Sequence, residues 1–276
     1  MTEMDAVKRH YSTEDLLERV QQALRTAGLD SGTLTAEQLE GLDQFHVRGL
    51  AATRDMAGNL QPTGMTVLDL GSGLGGPSRY LASAYGCSVE GVDLSPSFVE
   101  AASYLAARSG LGHKVSYRQA DALALPFEDE HFDIVWTQHV AMNIADRGRL
   151  YAEAHRVLKR DGQLAVYDVL LGEEQPLIYP VPWARDSSTS YLLTPEKMRS
   201  VIERTGFETV SWIDRTDEAK DWFREAARRR RESPAEHRAL GLHLAMGPDF
   251  RTMAENLRRN LEEGRASLVE AIFRRR

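Results

Sequence analysis

Residues 67–76 read Val-Leu-Asp-Leu-Gly-Ser-Gly-Leu-Gly-Gly, an apolar run that gives way to closely spaced glycines. This order predicts a buried strand, a glycine turn and a helix start, where a ligand can touch backbone. Gly71, Ser72, Gly73 and Gly75 are the candidate contacts. The spacing Gly71-x-Gly73-x-x-Gly76 also fits the dinucleotide pattern, so glycines alone leave the ligand open. Asp69 narrows the choice. A carboxylate at the mouth of the strand repels a pyrophosphate and attracts an ammonium group.

Two further acids follow strand-like runs. Asp93 stands 22 residues beyond Gly71, where an acid can accept both hydroxyls of a ribose. Its other reading is a helix-capping acid, although Ser95 is placed to fill that role. Leu94 is expected against an adenine. Asp121 can take a hydrogen bond from the adenine amino group, with the Ala122 N–H as a second donor; the alternative is an ordinary loop aspartate. Three acids with no lysine among them disfavour a phosphate-bearing cofactor such as NAD, and no Gly-Lys-Ser/Thr run is present. S-adenosylmethionine (SAM), with an ammonium, a sulfonium and no phosphate, suits the three acids better.

Acceptor-side candidates are more dispersed. Gln138 and His139 follow the fourth strand-like run, and His139 can orient an acceptor or take its proton. Asn143 shares that segment. Tyr179, Trp183 and Tyr191 are expected to wall an acceptor, where aromatic faces suit a cationic amine, and Arg185 to bind a carboxylate. His243 and Met246 are placed to touch it from a later helical stretch. For each of these the competing reading is simple packing.

The elements that must carry these residues alternate. Strands are predicted at Thr66–Leu70, Ser88–Asp93, Lys114–Gln119, Phe132–Thr137 and Gln163–Val169. Helices are predicted at Pro77–Ala84, Pro96–Ser109 and Arg147–Leu158. Alternation at this spacing means right-handed crossovers and a mostly parallel α/β sheet, which binds ligands at the carboxyl ends of its strands. Before it lie helices at 12–27, capped by Ser12 with Asp15 in the capping-box place, from Thr35 with Gln38, and at about 48–59. After it come an irregular proline-rich stretch at 172–194, a helix at Pro195–Thr205 and a strand at Phe207–Ile213. The helix-forming segment 217–263 then precedes an apolar run at Leu268–Phe273. If that run is a last strand, 217–263 is an insertion able to act as a lid. The expected division is a helical cap over 1–60 and a binding domain over 61–276, which contains the 172–195 loop and the 217–263 insertion.

Composition bounds the rest. The chain has 276 residues, 42% of them hydrophobic, and no stretch of the length needed to span a bilayer. Its first residues lack a basic region followed by an apolar run, so no Sec signal is expected. Cys87 is the only cysteine, which excludes an internal disulfide and a cysteine-rich zinc site; a reducing, cytoplasmic setting is the expectation, with no metal. A net charge of −7 argues against a nucleic-acid partner. The basic runs Arg228–Arg231 and Arg274–Arg276 read as solvated helix or tail faces. Nothing in the chain specifies an oligomeric state.

Five motifs in order carry a family resemblance. They are residues 67–76, Gly91-Val-Asp-Leu-Ser, Asp121-Ala-Leu-Ala-Leu-Pro-Phe, Phe132-Asp-Ile-Val-Trp and Arg156-Val-Leu-Lys-Arg-Asp-Gly. Together they resemble class I SAM-dependent methyltransferases of the small-molecule type. The likeness implies a Rossmann-like seven-stranded sheet with helices on both faces, its last strand antiparallel. Phe207–Ile213 would then be the sixth strand and Leu268–Phe273 the inserted seventh. Arg160-Asp161-Gly162 departs from the usual Pro-Gly-Gly at a surface turn. The run Asp43-Gln-Phe-His-Val-Arg-Gly-Leu is similar to a segment of sarcosine and dimethylglycine methyltransferases and related natural-product enzymes, although Arg48 stands where a Gly-Gly pair is common. By that resemblance Tyr11 and the segment close over the methionine end of SAM. Tyr11, Gln44 and His46 form either a polar cap or ordinary helix packing, with His46 also a candidate acceptor contact. The expected activity is methyl transfer from SAM to a small-molecule acceptor, leaving S-adenosylhomocysteine (SAH). A nitrogen of an amine or amino acid is the favoured acceptor atom. Oxygen or carbon of a secondary metabolite is the alternative, and a non-catalytic SAM sensor the rival of a different class.

Overall fold

The computed structural model describes residues 15–232 and 240–276. Three helices lead, α1 (Leu16–Thr26), α2 (Ala36–Asp43) and α3 (Leu50–Leu60). The alternation follows: β1 (Thr66–Leu70), α4 (Gly76–Tyr85), β2 (Ser88–Asp93), α5 (Pro96–Arg108), β3 (Val115–Gln119), β4 (Phe132–Gln138), α6 (Arg147–Val157) and β5 (Leu158–Leu171). It continues through α7 (Pro195–Arg204) and β6 (Phe207–Asp214) into three helices, α8 (Thr216–Glu232), α9 (His243–Met246) and α10 (Phe250–Glu262), and ends in β7 (Ala266–Arg275).

The strands form one sheet in the order β3-β2-β1-β4-β5-β7-β6. The first five pair in parallel, and β7 runs antiparallel between β5 and β6. The expected seven-stranded sheet, with the last strand inserted and reversed, is therefore present. Strand side chains alternate between two buried layers. Val67, Ile134, Trp136, Ala165 and Tyr167 face one core with α3, α4 and α10, while Leu68, Val135, Leu164 and Val166 face the other with α6 and α7. A third core joins α1 and α2 to α5 through Val20, Leu24, Leu39, Leu42, Phe98 and Leu105.

Local signals hold at most ends. Thr35 and Gln38 make both bonds of a capping box at α2. Gly28 follows α1 with a left-handed φ of 69°. Three details differ from expectation. Asp15 is the N-cap of α1, while Ser12 lies outside the described residues. The turn at Arg160–Gly162 is absorbed into β5 as a bulge: Phe132 pairs with Leu158 and Ile134 with Gln163, and Asp161 takes a φ of 59°. Arg274 and Arg275 lie on β7 rather than on a tail, paired with Glu208 and Glu130.

Candidate functional site

The sheet opens at the carboxyl ends of its parallel strands, as the topology requires. The turn after β1 is held to β2, because the N–H groups of Gly71 and Ser72 both donate to the Val92 carbonyl, at 2.8 and 2.9 Å. Gly71 has a φ of 69°, and a Cβ there would meet Val140 at 2.4 Å, so only glycine lets the turn pass the loop after β4. Gly75 serves packing instead. A Cβ there would reach the Tyr117 hydroxyl at 2.0 Å. Gly76 leaves the room that Asp43 and Gln44 occupy.

A cavity lies over these strand ends. Gly71, Gly73, Asp93, Leu94, Asp121 and Ala122 line one part of it. Asp93 is the best-placed acid: Oδ2 accepts from the Gly73 N–H at 3.0 Å and Oδ1 from the Ser95 N–H at 2.9 Å. Burial pushes its pKa up to about 6 against those bonds. Asp93 thus supports the backbone at the start of α5, whereas the Ser95 hydroxyl makes no cap and bonds Ser97. Asp121 Oδ1 takes the Leu123 N–H at 2.9 Å, an Asx turn that aims the loop after β3.

Asp69 departs from its expected place. It is buried, accepts from Ser78 Oγ at 2.5 Å and does not line the cavity. Strand alternation turns it toward α4, away from Leu68 and Leu70, and burial pushes its pKa up to about 7, with Asp93 adding repulsion. Ser72 and Gly75 are likewise off the cavity wall.

After β4, Gln138 and His139 both line the cavity. Gln138 Oε1 accepts from Trp136 Nε1 at 2.9 Å and Thr53 Oγ1 at 3.2 Å. His139 has a left-handed φ of 54°, rare for a side-chain-bearing residue, and its ring stacks on Tyr167 at 5.7 Å. Burial holds its pKa well below the usual range, with His46 adding to it. Gln138 Nε2, His139 Nε2 and Ser72 Oγ are buried without a hydrogen-bond partner. Buried polar groups seldom go unpaired, and two of these three belong to residues that line the cavity.

The Asp43–His46 segment crosses the same region. Asp43 pairs with Arg79 of α4 at 2.5 Å, both buried, which ties the leading helices to the sheet domain. Phe45 lines the cavity edge-on to Phe98, at 5.5 Å. His46 is buried off the wall. Its Nε2 lies 3.0 Å from the Gly49 carbonyl and 3.1 Å from Thr53 Oγ1, and burial lowers its pKa to about 4. It therefore packs beside His139, at 6.1 Å, rather than facing an acceptor. Tyr11 lies outside the described residues.

The remaining acceptor-side candidates divide. Asn143, Trp183 and Met246 line the cavity; Tyr179, Arg185, Tyr191 and His243 do not. Asn143 donates to the Trp183 and Thr189 carbonyls at 2.7 and 3.1 Å, and Trp183 Nε1 donates to Ser190 Oγ at 2.9 Å, which fixes the 172–194 loop over the site. Tyr179 is packed on the core and the Tyr191 hydroxyl donates to the Ser188 carbonyl. Arg185 is exposed and pairs with Asp249 at 3.0 Å, which joins loop to insertion away from the cavity. His243 is exposed at the start of α9. Sequence reasoning missed Phe45, Val140, Met142, Pro182, Leu242 and Phe250. Phe45 and Met142 stand inside segments already singled out, whereas nothing local distinguishes Leu242 or Phe250.

Residues 68–166 match the family model described as a methyltransferase domain. Over that segment the chain is similar to methyltransferase domains. Within it lie the strand-end acids and His139. The chain is 32% identical over 150 residues to a sarcosine/dimethylglycine N-methyltransferase of Halorhodospira halochloris, covering 54% of each chain. It is 42% identical over 100 residues to the chloroplastic tocopherol O-methyltransferase of Arabidopsis thaliana, covering 36% of this chain and 29% of that one. The matches thus span about half or less of these relatives' lengths. Among solved structures, phosphoethanolamine N-methyltransferase 2 of Haemonchus contortus superposes with a TM-score of 0.77 at 19% identity, over 100% of this chain and 60% of that one. This last likeness is one of fold, and it extends beyond residues 68–166 to the helices on either side.

Proposed function

We propose that this protein transfers the methyl group of SAM to a small-molecule acceptor. The observation that carries the reading is the pair of acids on the cavity wall, Asp93 and Asp121, beside the Gly71–Gly73 turn, with no lysine or arginine lining the cavity among the described residues. A nucleoside without phosphates fits that wall, and a dinucleotide does not. In this reading Asp93 accepts the ribose hydroxyls, Leu94 flanks the adenine, and Asp121 and Ala122 meet its edge. The orphan amide of Gln138 faces the methionine part. A bound sulfonium supplies the leaving group, so the chain's own task is to align the acceptor, exclude water and receive a proton. His139 is our candidate for that last role: it lines the cavity, and its neutral ring carries a buried Nε2 without a hydrogen-bond partner among the described residues.

The domain division belongs to the same proposal, with residues 61–276 as the catalytic unit, 1–60 as cap, 172–195 as acceptor loop and 217–263 as lid. Among the described residues no helix is long and apolar enough to cross a membrane. A cytoplasmic setting is supported by the single, buried Cys87. The sarcosine/dimethylglycine relative supports nitrogen as acceptor atom. A second reading, oxygen or carbon, is supported by the apolar residues that loop and insertion bring to the cavity.

The test is incubation of purified protein with methyl-labelled SAM and a metabolite extract, read by mass spectrometry. A labelled product is expected, and its structure names the acceptor atom. SAH binding with no product from any extract would favour the sensor reading.

A further inference from the structure

We infer that the acceptor is a neutral, largely apolar molecule, and not an amino acid, a phosphate ester or a cationic amine. The inference rests on the methyl-transfer reading and deepens it. The segments that distinguish this chain's cavity from a bare nucleoside site are the 172–194 loop and the insertion. They contribute Pro182, Trp183, Leu242, Met246 and Phe250 to the wall, all of them apolar or aromatic. Phe45, from the N-terminal side, adds another aromatic face.

Charge decides between acceptor classes. Among the described residues, the charged side chains at the wall are Asp93, Asp121 and Asp146, and all are acidic. A carboxylate or phosphate brought here meets no cation among the described residues, and an unpaired buried anion is strongly disfavoured. The arginines that could have served are engaged elsewhere. Arg185 is held by Asp249 at the surface, and Arg147 donates to the Tyr191 carbonyl at 2.8 Å, with Asp168 3.9 Å away. An ammonium fares little better. In the proposed reading Asp93 and Asp121 serve the nucleoside, Asp146 caps α6 through the Arg149 N–H, and none of the three comes from the loop or insertion that carries the aromatic faces. Among the described residues, the unpartnered polar group left for an acceptor is uncharged, the His139 ring.

The test uses a matched series on one ring system, with the full-length protein saturated with SAH and titrated by calorimetry. The probes are 1-naphthol, 1-naphthoate and 1-naphthylmethylammonium. The expected result is binding of 1-naphthol at least tenfold tighter than either charged analogue. Met246→Lys should reverse the order, with 1-naphthoate gaining tenfold or more over 1-naphthol. If 1-naphthol fails to bind, or either ion binds the unmodified protein as tightly, the inference is overturned. SAH binding, measured first, separates the two levels. Its absence defeats the methyl-transfer reading itself, whereas its presence with the wrong order of probes defeats only the acceptor class.

Discussion

Asp93 combines two demands on one carboxylate. It closes the turn through Gly73 and Ser95, and in the proposed reading it must remain ionised to accept ribose hydroxyls. Burial raises its pKa to about 6, so the proton competes with ligand below that pH. SAH affinity should therefore rise about tenfold between pH 5 and pH 7, the direction expected for a ligand that needs the carboxylate form. In Asp93→Asn the affinity should fall at least tenfold and lose that slope; calorimetry across the pH range checks both. For His139→Ala, turnover should fall about 100-fold with SAH affinity within a few-fold, read by steady-state kinetics and calorimetry. Unchanged turnover at saturating acceptor would remove His139 as a base. That Asp93 and Asp121 reach the cavity was legible, because each stands just after the carboxyl end of a parallel strand. Asp69 misled because its place at the strand end was clear, but its direction depends on which face of the sheet β1 turns toward α4.

Elements were more legible than their contacts. Alternating apolar runs report local burial, and they located all seven strands and the inserted helices. The inward face of the inserted helices is set by residues more than 60 positions apart, since Trp183, Met246 and Phe250 line one cavity, and no local period encodes it. Arg185 shows the cost: its type suggested a carboxylate site, while its partner Asp249 lies 64 residues away. Arg185→Ala should leave the acceptor KM within about twofold and the melting temperature within about 2 °C, since exposed ion pairs contribute little. The Asp43–Arg79 pair is the opposite case, with both groups buried. Arg79→Ala should lower stability by about 3–5 kcal/mol by stranding Asp43, and Asp43→Asn in the same chain should restore part of it; chemical denaturation of the two variants is the check. Equal stability of Arg79→Ala and the parent would mean that the leading helices are held mainly by the apolar core around α1, α2 and α5.

For the whole molecule, the leading segment, the sheet and the insertion all contribute to the wall of one cavity, where the proposed ligand would sit. Binding should therefore stabilise the chain as a unit. SAH at 100 times its Kd should add about 2.7 kcal/mol, a rise in melting temperature of roughly 5–10 °C in a single transition, seen by scanning calorimetry. A separate unshifted transition would show that part of the chain unfolds without reference to the ligand. The sheet order has one more consequence. Strand β6 pairs with β7 and with no other strand, and β7 is also the outer neighbour of β5. While the chain is being synthesised, β1 to β5 can assemble as soon as they emerge, but β6 has nothing to join until the residues of β7 have been made. The three inserted helices are tethered between those two strands. The half of the cavity lined by Gly71, Gly73, Asp93 and Asp121 can thus take shape on the ribosome before the half lined by Leu242, Met246 and Phe250, so the strand ends are laid down before the segment that covers them.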